Sequence, residues 1–439
     1  MKRASQLVSC LLIPLALLSP LAASAEAPAT LKDAYLPHFK IGTCINRIVA
    51  TGQGWRRSEE LVKADIALVK AQFNQVVAEN EMKWMSLHPR AGKEGYDWTA
   101  ADAFVEFGTK HKLEMAGHTL VWHSQTPNWV FDGTFAAPGA AEKPNPPAAG
   151  PPPPPPAPNA APPAPIGGPP GPNGGPPGAR RGPGGFPGSR QFDLNGPRAT
   201  REELLERMRE HIHTVVGRYK GKIKVWDVVN EAISDNGDEV LRKSPWSVII
   251  GPDFIEKAFQ FAHEADPDAI LRYNDYGLEN PKKRQKLITL IKGLQEKKVP
   301  VMAIGTQAHL NVSVTFDTMD QSLAEMKAIG LPIHVTELDV NGAMGGQGGF
   351  GADVAGNAAA TDGGLVAEAD KKLTEAYSAV FKAFLKHKDA VKAVTFWGPN
   401  DANSWRGRAR PLLFDADCKP KPAFDAVIKL AGGRAKDSP

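Results

Sequence analysis

From about residue 40 onward, short and almost wholly apolar runs alternate with longer segments whose apolar positions recur every three to four residues. The short runs are Ile41–Asn46, Asn74–Asn80, Glu114–Trp122, Ile223–Glu231, Ala269–Asp275, Val301–His309, Ile333–Asp339 and Val391–Trp397. The longer stretches with helical periodicity are Ser58–Ala71, Ala100–Lys112, Arg201–Arg218, Asp253–Ala265, Pro281–Lys297, Met319–Ile329, Ala367–Lys386 and Pro422–Leu430. Continuous apolar runs read as buried parallel strands, and eight such strand–helix units are the number that closes a barrel. The expected fold class is therefore α/β, a (β/α)8 TIM barrel. An open doubly wound sheet would carry a Gly-rich phosphate turn after its first strand, and Ile41-Gly42-Thr43-Cys44 supplies none.

Two stretches interrupt the alternation. Residues 136–190 are dominated by Pro, Gly and Ala, with Pro151 to Pro156 unbroken, a composition that cannot bury a core and favours polyproline II or disorder. A helix of the same barrel follows, so this is an oversized loop rather than a linker between domains. Residues 342–364 form a second, Gly/Ala-rich loop. Both insertions should emerge at the C-terminal mouth of the barrel. The first residues have another logic: Met1-Lys2-Arg3, the apolar stretch Leu7 to Leu21, then Ala23-Ser24-Ala25. A basic start, a short apolar region broken by Pro14 and Pro20, and small residues at the end read as an export signal spanning 1–25. One domain over 26–432 and a tail of 433–439 complete the division, with secreted or periplasmic placement.

The formal net charge is +4, and part of it leaves with Lys2 and Arg3. So balanced a chain has no electrostatic footprint for nucleic acid, and after signal removal nothing in it addresses a membrane. Cys44 and Cys418 remain once Cys10 leaves; they either pair or stay as thiols, and spacing does not decide. No zinc-type spacing of Cys and His occurs, and neither metal nor cofactor is expected. A monomer is the expected state.

The strand ends carry polar and aromatic side chains where packing alone would place apolar ones. They read Glu79-Asn80-Glu81-Met82-Lys83-Trp84, Gly117-His118-Thr119-Leu120-Val121-Trp122-His123-Ser124-Gln125, Asn230-Glu231, Asn274-Asp275-Tyr276, Gln307-Ala308-His309, Glu337-Leu338-Asp339 and Trp397 through Trp405. Each alone has an ordinary explanation: an Asn-Glu pair serves as a helix cap with a first-turn acid, and a Trp in an apolar run is core. Their recurrence at successive strand ends points to a functional mouth. Glu231 and Glu337 each close a strand-like run, and two carboxyl groups across one cleft are what glycosidic hydrolysis needs. His309 and Gln307 are placed to keep Glu337 charged, Asn230 to hold a sugar 2-hydroxyl, and Trp397 and Trp405 to offer flat faces to sugar rings. Lys83, Asn80 and Gln125 add hydroxyl-binding groups.

Jointly the segments Glu79–Trp84, Gly117–Gln125, Trp226-Asp227-Val228-Val229-Asn230-Glu231-Ala232 and Thr336-Glu337-Leu338-Asp339 resemble glycoside hydrolase family 10, the endo-β-1,4-xylanases, a likeness that runs over about Phe39 to Gly432 apart from the insertions. The resemblance implies a retaining double displacement with Glu231 as acid/base and Glu337 as nucleophile, acting on xylan and xylo-oligosaccharides. It further implies that Glu79, Asn80, Lys83, His118, Trp122, Gln125 and Asn230 line the non-reducing side. By the same resemblance His309 would bond the nucleophile with Gln307 nearby, Asp339 would orient that histidine, Trp397 and Trp405 would close over the sugar, and Tyr276 would lie on the leaving-group side. A related β-1,4-glucanase, a non-catalytic xylan-binding barrel, and a metal hydrolase built on His118, His123 and His309 are the competing readings.

Overall fold

The computed structural model describes residues 30–54, 57–133, 198–342 and 363–432. The proposed export signal, the 136–190 insertion, the tail and nearly all of the 342–364 loop lie outside those residues.

Eight parallel strands form the wall: β1 Lys40–Ile45, β2 Gln75–Ala78, β3 Glu114–Gly117, β4 Val225–Asn230, β5 Ile270–Asp275, β6 Ala303–Thr306, β7 Ile333–Asn341 and β8 Val391–Phe396. Each pairs with the next in chain order, and β8 also pairs with β1, from Lys40 opposite Ala393 to Thr43 opposite Phe396. The sheet is closed, which excludes the doubly wound alternative. Two short segments, Val121–Trp122 and His309–Asn311, prolong the wall at the mouth by pairing with β4 and β7.

Strand alternation divides the apolar residues between two cores. Trp226 and Val228 of β4 join the large cluster packed under the helices. Cys44, Val77, Ala116, Val225 and Trp397, drawn from successive strands and the end of β8, form a separate cluster inside the barrel. Helix Arg201–Arg218 shows how local sequence sets an element. Thr200 and Glu203 close a capping box at its start, and Leu204, Met208, Ile212, Val215 and Val216 form its buried stripe. Each such side chain contributes about 1.5–3 kcal/mol when fully buried.

That helix also receives the chain after the Pro-rich insertion. Asp132 and Arg198 form an antiparallel bridge, and the Ala199 N–H donates to the Phe131 carbonyl at 2.9 Å. One Arg207 nitrogen donates to the carbonyls of Trp129, Val130 and Asp132 at 3.2, 2.9 and 2.9 Å. The described chain on either side of the insertion is thus fastened together at Asp132 and Arg198.

Two expectations change in detail, and the open question of the cysteines is decided. Glu337 does not close its strand: β7 continues to Asn341, because Leu310 and Asn311 pair with it beyond the barrel rim. The second loop ends earlier than residue 364, since helix Gly363–Lys386 has already begun. Cys44 and Cys418 are both free thiols. Cys44 is buried inside the barrel, whereas the Cys418 sulfur lies 3.2 Å from Asp65 Oδ1 and 3.1 Å from Asn400 Nδ2.

Candidate active site

At the end of β4 the chain turns sharply, and Glu231 takes a left-handed backbone with φ of 56°. A non-glycine residue there costs on the order of 1–3 kcal/mol and persists only where its surroundings hold it. Its N–H donates to the Asn274 carbonyl at 2.9 Å, and its carbonyl accepts from Arg242 Nε at 2.9 Å. Gln125 and Ala308, two further residues of the mouth, also have positive φ.

The Glu231 carboxylate accepts from Trp122 Nε1 at 2.8 Å and from Gln307 Nε2 at 3.0 Å, both neutral donors. Glu337 meets a different set. Asn274 Nδ2 donates to its Oε1 at 2.8 Å, and His309 Nε2 stands 3.2 Å from its Oε2. The other His309 nitrogen lies 3.1 Å from Asp339 Oδ1, which also accepts from Arg406 at 2.9 Å. Burial works against charging His309, yet Asp339 and Glu337 outweigh it and raise its pKa to about 9. Burial pushes Glu337 up as well, but the His309 hydrogen bond and the nearby charges of His118 and His309 bring it below the usual carboxylate value. Asp339 is likewise held low against its burial by His309 and Arg406.

The two carboxylates are joined by a continuous chain of amides. Gln307 Nε2 reaches both Glu231 and Asn230 Oδ1, and Asn274 Nδ2 bridges Asn230 Oδ1 to Glu337 at 2.9 and 2.8 Å. Thr336 donates to Asn274 Oδ1 at 2.7 Å, which fixes the amide with its nitrogen toward Glu337. Thr336 and Glu337 are neighbours in β7 and both touch Asn274, which strict strand alternation forbids. The pairing of β7 with β8 shifts register between Val335 and Leu338, and that irregularity lets consecutive side chains converge.

On one flank, Lys83 Nζ donates to Asn80 Oδ1 at 2.9 Å and sits 5.0 Å from the Trp122 ring centre, while Gln125 Nε2 reaches the same Asn80 oxygen at 3.4 Å. Half-buried Glu79 has its pKa raised to about 7, by desolvation first and the Glu81 charge second. His118 Nδ1 lies 3.0 Å from Asp227 Oδ2, and Asp227 receives Arg272 at 2.7 and 3.0 Å. Buried Trp397 presents its ring edge-on to His118 and His309, whereas Trp405 is 37% exposed and donates to Asp339 Oδ2 at 2.8 Å. On the opposite flank, Tyr276 donates its hydroxyl to Asp235 at 2.6 Å and accepts from Arg242 at 2.9 Å. That flank is a cavity of about 580 Å³ that also takes in Lys282, Lys283 and Lys286.

Every site residue expected from the sequence reaches this mouth or its supporting layer. Asn274, Asp227, Arg272 and Arg406 carry the network and were given no part. Asn274 lies in a strand-end segment and Asp227 within the apolar run Ile223–Glu231, so their positions were visible and only their partners were not. Among the described residues no group of three or more His, Cys, Asp and Glu side chains is arranged to hold a metal ion. His118 and His309 are instead committed to carboxylates.

The sequence model of glycosyl hydrolase family 10 matches residues 30–143 and 191–430. Endo-1,4-beta-xylanase A of Xylanibacter ruminicola is 36% identical over 428 residues, covering 94% of this chain and 96% of its own. Among solved structures, a GH10 endoxylanase from a sugarcane soil metagenome aligns at 34% identity with a TM-score of 0.69, covering 92% of this chain and 99% of its own. An alanine variant of the intracellular xylanase of Thermoanaerobacterium saccharolyticum, complexed with xylotetraose, aligns at 30% identity and a TM-score of 0.66, covering 92% of this chain and 99% of that one.

Proposed function

Because this chain belongs to glycosyl hydrolase family 10, we propose that it hydrolyses internal β-1,4-xylosidic bonds of xylan by double displacement. The observation that carries the assignment of roles is the asymmetry between the two carboxylates. Glu337 faces a protonated histidine, which suits a group that must attack as an anion, while among the described residues the carboxylate of Glu231 is hydrogen-bonded by the neutral donors Trp122 and Gln307.

In the first step a Glu337 oxygen bonds to the anomeric carbon as the glycosidic C–O bond breaks, and Glu231 gives its proton to the departing oxygen. In the second, Glu231 takes a proton from water, the resulting hydroxyl bonds to the anomeric carbon, and the ester to Glu337 breaks. Retention requires the carboxyl groups to stand about 5–5.5 Å apart, with the water and the leaving sugar using the same face in turn. Asn230 holds the 2-hydroxyl, a contact that tightens as charge develops on the ring. Glu79, Asn80, Lys83, His118, Trp122 and Gln125 take the non-reducing sugars, Trp397 and Trp405 enclose the sugar being cleaved, and Tyr276 meets the leaving portion.

Proton NMR of xylohexaose hydrolysis tests this directly. The first product should carry the β-configuration before mutarotation, and a first-formed α-product would overturn the retaining mechanism. Glu337→Ala should remove turnover while xylotriose binding stays measurable by calorimetry. Faster release of reducing sugar from carboxymethyl cellulose than from xylan would favour a glucanase instead. Removal of residues 1–25 on export belongs to the same reading, and a mature N-terminus at Glu26 is its expected outcome.

A further inference from the structure

Behind Glu337 stands a row of alternating charges that continues past the histidine and its aspartate. Arg406 Nη1 donates to Asp339 Oδ1 at 2.9 Å, the same oxygen lies 3.1 Å from His309 Nδ1, and His309 Nε2 lies 3.2 Å from Glu337 Oε2. Asp339 is fully buried and the Arg406 side chain nearly so. Opposite charges in close contact under poor solvation reinforce one another far more than exposed pairs do. Arg406 makes a second contact: its guanidinium carbon lies 4.5 Å from the ring centre of Trp405. The indole N–H of Trp405 donates to the remaining Asp339 oxygen at 2.8 Å, and its ring meets His309 edge-on at 5.2 Å. One arginine thus touches both the anionic end of the row and the aromatic wall over the cleft.

We propose that Arg406 is a positioning residue for the reaction, its charge completing the row that keeps Glu337 ionised and its planar face setting Trp405 against the sugar. The inference rests on Glu337 being the attacking group. The other titratable or charged side chains acting on the row include His118, Asp227, Lys83 and Cys44 toward Glu337, Glu279 toward His309, and Tyr377 toward Asp339. None of these residues is altered in the Arg406 variants.

The test compares wild type, Arg406→Met and Arg406→Lys as full chains, with p-nitrophenyl xylobioside as the probe. Losing the positive charge makes Glu337 harder to ionise, so the acidic limb of kcat/KM in Arg406→Met should move up by about half to one pH unit. Losing the stacked guanidinium should raise KM roughly two- to fivefold. Arg406→Lys restores the charge without the plane, so it should return the limb to the wild-type position and leave KM raised. A lower melting temperature with limb and KM both unmoved would reduce Arg406 to a structural part and overturn the proposal; so would a limb that moves equally in both variants. If Arg406→Met does not fold, Arg406→Gln is judged by the same limb. Turnover that survives Glu337→Ala would defeat the proposed mechanism instead, which keeps the two failures distinct.

Discussion

Asn274 touches Asn230, Thr336 and Glu337 together, and its amide has no freedom to turn. A hydrogen bond to a charged group is worth about 1.5–3 kcal/mol, so Asn274→Ala should lower kcat/KM roughly 10- to 100-fold. Steady-state kinetics on xylotetraose measures it, and a change below twofold would remove Asn274 from the machinery. The residue shows what a sequence discloses at this scale. Its place at a strand end was plain from Asn274-Asp275-Tyr276, as was the carboxylate character of Glu231 and Glu337. Its partners were not, because they lie on strands whose relative stagger is set by closing the barrel.

Element by element, helix Arg201–Arg218 was fully legible, since its capping box, apolar stripe and terminal arginine are all local. The strands were legible as runs but less so in their ends and phase. β7 runs past Glu337, and its register shift against β8 depends on the neighbour rather than on its own residues. β6 is tied to the site by absence of bulk: a Cβ on Gly305 would stand 2.4 Å from Asn274 Oδ1 and 3.1 Å from the Thr336 methyl. Gly305→Ala must therefore displace the Asn274 amide. It should destabilise the fold by about 1–3 kcal/mol, and activity should fall even in the fraction that remains folded. Urea unfolding combined with active-site titration separates the two effects, and wild-type kcat with lowered stability alone would disprove the link.

For the whole molecule, three histidines, His334 buried and His123 and His309 partly so, set opposing dependences on pH. Burial and the Arg272 charge depress His334 to about 3, and burial with Arg242 depresses His123 to about 4. Both groups carry an unfolded value of about 6.5, so their contribution is present above that pH and is lost as pH falls through the folded values. His309, raised to about 9, acts in reverse: its contribution is present below about 6.5 and fades as pH rises through 9. Thermal melting followed from pH 4 to 10 should show a midpoint highest near neutrality. His334→Gln, which has no proton to gain, should flatten the acid side, and an unchanged slope would contradict that origin. Closure of the barrel was legible from eight strand–helix units, but the polar layer of Asp227, Arg272 and His334 within it was not. The bridge of Asp132 to Arg198 has a practical corollary for the same closed barrel. With the exit and re-entry points already fastened together, lengthening the excursion adds only about 0.6 kcal/mol per doubling. That junction is a natural graft port: a foreign domain or affinity tag spliced between residues 138 and 190 should leave the catalytic scaffold folded.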